Sequence, residues 1–228
     1  RDSSVTGVQT CALPILFFRC LVVTTLVILG ACTDYQYIDT GLANGKHDCT
    51  VWEYLHSQPD DWDSTIIMIE HAGMKEYFDG SRQNEQITFF GITNLSILAY
   101  MLDYKEAHPT KPWKMVRDIP VETCRHILKR LIIPQRLVVE DIPRGRLEAI
   151  RGGYTEVEGR VCKTLEGEMF VYTYREDYNY IPEKGEIGLY IYLHGSGNSD
   201  ANRSVSTDIQ MNNGVVHALS YGFSLKGL

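Results

Sequence analysis

The sequence has few of the patterns that identify an active site. It contains no His-Glu-x-x-His pair for zinc, no Gly-x-Ser-x-Gly nucleophile turn and no glycine-rich phosphate loop. It also lacks an excess of basic residues, and its net charge of -7 argues against a nucleic-acid partner. The chain does have 44% hydrophobic residues in a length of 228, enough for one sizeable core. Its 14 tyrosines and 3 tryptophans fit either a β-rich fold or an exposed binding surface.

An apolar run near the beginning of the chain has the character of a signal peptide. It covers residues 15–31, and after Arg19 its apolar part is about 12 residues long, which suits a signal-peptide core and is short for a membrane span. The run ends in Leu29-Gly30-Ala31-Cys32, which resembles the lipobox of bacterial lipoproteins. We therefore predict a signal peptide over residues 1–31 and lipidation of Cys32. An ordinary signal peptide followed by an unrelated cysteine is the alternative.

Two further stretches lie near this predicted signal. Residues 1–15 resemble the translation of a sequencing-adapter read, and we expect them not to be biological. Residues 32–47 are polar with two glycines, which predicts a tether between the lipid and a domain over residues 48–228. Thr33 stands where lipoproteins retained at the inner membrane carry Asp, so an outer-membrane location in the cell envelope is expected.

The cysteines and histidines of the predicted domain form no metal-binding pattern. Cys49, Cys124 and Cys162 have spacings that match no metal site, and the seven histidines of the chain are scattered. Three buried thiols are expected, although one disulfide with a third, buried thiol would also fit. The sequence predicts neither a metal nor another cofactor.

The first half of the domain is predicted to be largely helical, with one buried strand at 87–90. The basic residues Arg125, Lys129 and Arg130 of the last predicted helix are expected on a solvated face. Capping residues and hydrophobic spacing predict four helices. The first runs through 51–55 and cannot extend far beyond Pro59, and the second is capped by Asp63 or Ser64 and ended by Gly73. The third follows Thr93 or Asn94 with an apolar stripe of Leu95, Leu98, Ala99 and Leu102, and the fourth covers 121–132 and stops before Pro134.

The second half is predicted to be strands and turns. The last two strands, within 204–219, read as a hairpin hinged on Asn213-Gly214, a pair that tolerates a positive φ. Helices first and strands later predict one α+β domain rather than a parallel βαβ sheet. The predicted strands lie at 137–139, 153–157, 169–174 and 189–193, followed by the hairpin.

One strand leads into a segment that resembles the oxyanion loop of α/β-hydrolases. The strand 189–193 is followed by His194-Gly195-Ser196-Gly197. In that fold a nucleophile turn, an acid and a histidine must follow, but the 31 residues after Gly197 contain no such turn. A hydrolase site at His194 and Ser196 is therefore a remote alternative to a strand that runs into a polar loop.

Two segments together resemble the signature segments of the fasciclin-like family. Phe90-Gly91-Ile92-Thr93-Asn94 keeps the Phe, Thr and Asn of that family's Phe-Ala-Pro-Thr-Asn-like turn. Asp208, followed by Asn213-Gly214-Val215-Val216-His217-Ala218, resembles the second segment, in which an Asp precedes Asn-Gly-Val-Ile-His-Val. The resemblance covers about residues 48–222, with insertions expected at 103–120 and 175–203. Leu131 and Ile132 replace the Tyr-His pair implicated in integrin binding, so integrin recognition is not expected.

The resemblance implies an α+β fold, namely a wedge-shaped β-sandwich with an N-terminal helical layer. It also implies extracellular adhesion or binding rather than catalysis. We therefore expect a non-catalytic adhesion or ligand-binding domain, with a glycan or an extracellular protein as ligand. A structural or accessory subunit of an envelope complex is the alternative. A buried hydrogen-bond set that joins the last two strands to the 93–94 turn is expected from the signature residues Thr93, Asn94, Asp208, Asn213, Gly214 and His217.

Overall fold

A computed structural model describes residues 45–150, 153–195 and 201–228. The predicted signal peptide, the predicted lipidation site Cys32 and Ser196 lie outside these residues. In the described ranges, no helix combines the length and the apolar character that a membrane crossing requires. The predicted tether includes Gly45 and His47, but both form backbone hydrogen bonds with Gln210, so the folded domain begins before residue 48.

The beginnings of the first two helices follow from their capping residues. Thr50 and Glu53 form a reciprocal capping box at the first helix. Pro59 occupies the first position of the second helix, where its missing N–H costs nothing. The start predicted at Asp63 or Ser64 was therefore wrong, whereas the helix ends before Gly73 as predicted. The helices are α1 Val51–Ser57, α2 Pro59–His71, α3 Asn94–Ala107 and α4 Val121–Arg130.

Helix α3 presents a different face to the core from the predicted one. The buried positions include Ile97 and Met101, whereas Leu95, Leu98 and Leu102 are about half exposed, at 51%, 49% and 48%. Both stripes have a helical period, so spacing alone could not choose between them. The side chain of Asn94 fixes the choice, because its Oδ1 accepts from the Ser64 N–H at 2.7 Å and its Nδ2 donates to two carbonyls at the start of α2.

The strands form one large sheet and one small ribbon. The large sheet has the order β2-β1-β9-β8-β7-β6-β5, in which β1 and β9 run parallel and every other neighbouring pair is antiparallel. Strands β3 and β4 form the separate antiparallel ribbon. The strand bounds are β1 Ile87–Gly91, β2 Ile132–Ile133, β3 Gly145–Ile150, β4 Gly153–Glu158, β5 Arg160–Lys163, β6 Glu168–Arg175, β7 Ile187–Leu193, β8 Asn202–Met211 and β9 Gly214–Leu219.

The segment predicted as a strand at 137–139 is not one. The Leu137 N–H donates to Thr88 Oγ1 and the Val139 N–H donates to Asp208 Oδ1, both at 2.8 Å. Since side chains accept from these N–H groups, no ladder forms, and the chain makes a 3-10 turn at Val139–Asp141.

The ribbon packs against the outer face of β6. The Thr173 N–H of β6 donates to Pro143 O at 3.0 Å, just before the ribbon begins. A Cβ at Gly159 would lie 2.4 Å from the Phe170 ring, so this close approach requires glycine. Helices precede most of the strands in the chain, and the α+β class expected from the sequence is confirmed.

Candidate functional site

The hairpin residue Asn213 binds two other parts of the fold. Its Oδ1 accepts from the Val51 N–H, at the start of α1, and its Nδ2 donates to Phe78 O, both at 2.8 Å. The predicted positive φ in the turn was wrong, because neither Asn213 nor Gly214 has one. Gly214 is instead required by close packing, since a Cβ there would lie 2.6 Å from Ile87 O on the neighbouring strand.

His217 and Asp208 bind the segment that precedes the ribbon. His217 is fully buried, and its Nε2 donates to Leu137 O at 3.1 Å while its Nδ1 accepts from the Asp208 N–H at 3.2 Å. Burial lowers the pKa of His217, so the ring is a neutral donor and acceptor. The Asp208 carboxylate accepts from the Val139 N–H. The polar atoms of this pair are therefore engaged inside the domain.

The Thr93-Asn94 turn does not join this hydrogen-bond set. Asn94 binds the beginning of α2, and Thr93 Oγ1 lies 3.4 Å from Ser96 Oγ within α3 itself. The two signature segments instead come together through the parallel pairing of β1 and β9, in which Phe90 lies opposite His217. The expected hydrogen bonds between the turn and the hairpin were wrong, because α2 supplies the partners of Asn94, and Thr93 only lines a small cavity beside Ser206 and Ala218.

His194 directly follows β7 and lies among charged groups. Its Nε2 is bonded to the Glu156 carboxylate, and its Nδ1 is 3.6 Å from a Glu168 oxygen. Its carbonyl accepts from the Arg130 guanidinium, which is 8% exposed, so Arg130 is not on the solvated face that the sequence predicted. Arg125 and Lys129 do lie near the surface and pair with Glu122 and Glu166. In the described ranges, no three His, Cys, Asp or Glu side chains form a group that could hold a metal.

The three cysteines of the domain are free thiols. Cys124 and Cys162 are buried and Cys49 is half-buried. Burial raises the pKa of Cys124 to about 11 and raises that of Cys162 above its usual value. Because the thiolate is the reactive form, these two cysteines are poor nucleophiles.

Tyrosines alternate along the outer faces of β6 and β7. Tyr172 and Tyr174 lie on β6, and Tyr190 and Tyr192 lie on β7, while the residues between them point to the main core. The Tyr172 and Tyr190 rings stack with centroids 5.4 Å apart and an interplanar angle of 13°. This aromatic face carries no sequence motif. The alternate spacing of the tyrosines was its only signal in the sequence.

A cleft opens where the ribbon crosses this aromatic face. It has a volume of about 350 Å³. The Tyr190 hydroxyl donates to the Glu176 carboxylate. Burial raises the pKa of Tyr172 to about 12 and also raises that of Tyr190, so both phenols stay neutral. We call it the tyrosine cleft, and its lining residues are Arg146, Leu147, Tyr172, Tyr174, Glu176 and Tyr190.

A smaller cavity adjoins the tyrosine cleft. Its volume is about 130 Å³, and it shares Arg146 and Tyr174 with the cleft. The Arg144 guanidinium lies 3.7 Å from the Glu183 carboxylate, and Arg175 donates to Gly185 O at 3.0 Å. We call it the arginine cavity. It places guanidinium and carboxylate groups beside the tyrosine rings.

The fold and the cleft define an α+β domain with a concave, aromatic site on the outer face of its sheet. No protein-family model matches the chain, and no curated protein matches it. Among solved structures, the chain is similar to a FAS1 domain pair from the insect cell adhesion molecule fasciclin I, with 15% sequence identity and a TM-score of 0.48. The match covers 75% of this chain and 49% of that one, so this chain spans about half the length of the structure it matches. The two signature segments resemble the same family.

Proposed function

We propose that the chain is an extracytoplasmic binding domain of the fasciclin-like kind, which holds an adhesion ligand in the tyrosine cleft. The cleft itself carries the proposal: tyrosine rings and a few charged groups converge on a concavity of about 350 Å³. Binding sites for small ligands combine an apolar, aromatic lining with few oriented polar groups in this way. A folded domain without any ligand for this cleft would contradict the proposal.

A binding role is favoured over catalysis because the reactive side chains described above are already engaged. Both ring nitrogens of His217 have backbone partners inside the domain, so this histidine cannot act as a base toward a ligand. The burial of Cys124 and Cys162 disfavours their thiolates. A His194→Ala variant that loses an otherwise reproducible hydrolytic activity would contradict the non-catalytic role.

The proposal includes a lipid anchor at Cys32 and a place in the outer membrane. It is supported by the apolar run before Leu29-Gly30-Ala31-Cys32 and by the Thr33 that follows. The described domain begins at Gly45, and a fully extended chain over residues 33–44 would span at most about 40 Å. Labelling with radioactive palmitate in the native host should mark the protein and fail for Cys32→Ser. Equal labelling of both proteins would contradict the anchor.

The function can be tested on the protein purified in detergent. Binding is measured to a panel of glycans, peptides and matrix proteins, and the variant Tyr174→Ala is compared with Tyr180→Ala. Tyr180 is fully exposed, at 104%, and is absent from the lining of the cleft. Any ligand of the cleft should lose affinity only with Tyr174→Ala. Equal loss in both variants would place the ligand elsewhere.

A second candidate function is supported by helix α3. Leu95, Leu98 and Leu102 form an exposed apolar stripe of a kind that marks protein contacts. This stripe fits an accessory subunit of an envelope complex. Crosslinking in native membranes should then recover a stoichiometric partner that Leu98→Gln loses, and recovery of no such partner would remove this candidate.

A further inference from the structure

We propose that the tyrosine cleft and the arginine cavity together bind an uncharged oligosaccharide. This inference rests on the proposed function, because it names the ligand class of the same site. The two cavities share Arg146 and Tyr174, so they lie side by side along the ribbon. A ligand that fills both must therefore pass from an aromatic surface to a charged one.

The aromatic part of the site suits a pyranose ring. Tyr190 and Tyr174 are half-buried, so part of each ring remains open to a ligand. Tyr172 is only 5% exposed and stacks against Tyr190 from the neighbouring strand. The C–H groups on one side of a pyranose form a flat apolar surface that packs on such a ring. The two phenols with raised pKa, Tyr172 and Tyr190, stay neutral, so the rings add no charge to the site.

The charges of the combined site are balanced. The lining has three guanidinium and three carboxylate groups, and Arg146 pairs with Glu148 beside it, so the site has no net positive charge to select a phosphate or a carboxylate ligand. A sugar hydroxyl both donates and accepts hydrogen bonds, so it can use a guanidinium and a carboxylate at once. The charged lining residues are Arg144, Arg146 and Arg175 with Glu158, Glu176 and Glu183.

The size of the site limits the ligand to a short segment of sugar. A volume of about 350 Å³ is at the lower end of the range for small-molecule sites, and the arginine cavity adds about 130 Å³ beside it. One ring over the tyrosines, with the next ring or its substituents at the arginines, fills this space. A branch or the end of a neutral glycan fits better than a long flat chain.

The position of the Tyr190 ring depends on Gly188. A Cβ at Gly188 would lie 2.7 Å from Tyr190 Cε2 and 3.2 Å from Arg203 Nε. The variant Gly188→Ala therefore pushes the ring from its place without changing any lining residue of the cleft. Gly188 is a positioning residue for the ligand.

The test uses the protein purified in detergent on an array of neutral glycans, acidic glycans and matrix proteins. Affinities of the strongest neutral glycan are then measured by calorimetry. Tyr174→Ala should weaken binding about tenfold because it removes a stacking contact. Glu176→Ala should weaken it by a similar factor because it removes a hydrogen-bond acceptor. Tyr180→Ala, the exposed control, should stay within about twofold. Melting curves confirm that each variant is folded.

The outcomes separate this inference from the proposed function. If only acidic glycans or matrix proteins bind, and Tyr174→Ala weakens that binding, the ligand class of uncharged oligosaccharides is wrong but the cleft keeps its binding role. If Tyr174→Ala and Tyr180→Ala reduce the binding of a neutral glycan equally, the glycan does not bind in the proposed site. Absence of binding in every class by the folded protein would overturn both proposals. Loss in Gly188→Ala with an unchanged melting temperature would support the placement of Tyr190.

Discussion

Replacing Asn213 by alanine should lower the stability of the domain substantially. The change removes two hydrogen bonds of 2.8 Å. Phe78 O keeps a second donor, the Trp52 N–H at 2.9 Å, so that bond should cost about 1 kcal/mol. The Val51 N–H is worse placed, because the first N–H groups of a helix have no partner within it and Val51 is fully buried. Leaving that donor unsatisfied should cost about 1–3 kcal/mol more.

The total expected loss for Asn213→Ala is about 2–4 kcal/mol, which corresponds to a fall in Tm of roughly 5–15 °C for a domain of this size. Scanning calorimetry and urea unfolding measure it. The matched control is Asn212→Ala in the same turn, because Asn212 is exposed and its Nδ2 contacts Asp48 at 3.2 Å. That control should cost less than about 0.5 kcal/mol. A similar, small loss in both variants would refute the structural role of Asn213, and lost binding at unchanged Tm would instead make it a ligand residue.

Three further predictions concern the buried histidine, α3 and the thiols. Because burial holds the pKa of His217 below that of the unfolded chain, near 6.5, the unfolded state binds the proton first as pH falls. The unfolding free energy of the wild type should therefore drop more between pH 7.5 and 5 than that of His217→Gln, and parallel curves would contradict this. Ile97→Ala should lower the free energy of unfolding in urea by about 2–4 kcal/mol, and Leu98→Ala by less than about 0.5 kcal/mol. The reverse order would show that the leucines of α3 face the core. Mass spectrometry after brief alkylation of the folded protein should find Cys49 modified and Cys124 unmodified, whereas equal labelling would show that the core opens readily.

Local chemistry was enough to predict the elements whose ends have one dominant signal. The helix end at Gly73, which has a positive φ, is an example. The first helix ends before Pro59 as predicted, but the start of the second helix at Pro59 was missed, because proline is excluded from a helix interior and favoured at the first helical position. The face of α3 could not be chosen from the sequence either, since Asn94 orients the helix through bonds to residues about 30 positions earlier.

The candidate site could not be predicted from local sequence patterns either, because it depends on packing between distant segments. The tyrosines at 172, 174, 190 and 192 could be placed on one face of two strands by their alternation. Their ability to form a cleft depends on the ribbon that crosses them, and β3 was not predicted at all. Arg146 and Glu176 come together only through this packing, and the spacing of residues in the sequence does not predict it.

The parallel pairing of β1 with β9 also governs when the domain can form. These two strands lie next to each other in the sheet, yet Ile87 pairs with Gly214, 127 positions later in the chain (214 minus 87). Closing such a long loop is slow, because its entropy is lost before the contacts are gained. During synthesis β1 cannot gain its β9 neighbour until residues 214–218 have been made, so the sheet of this domain cannot be completed earlier. Until β9 is added, the incomplete domain is accessible to any process that acts on unfolded chains. A chain truncated before residue 214 should therefore not fold into this domain.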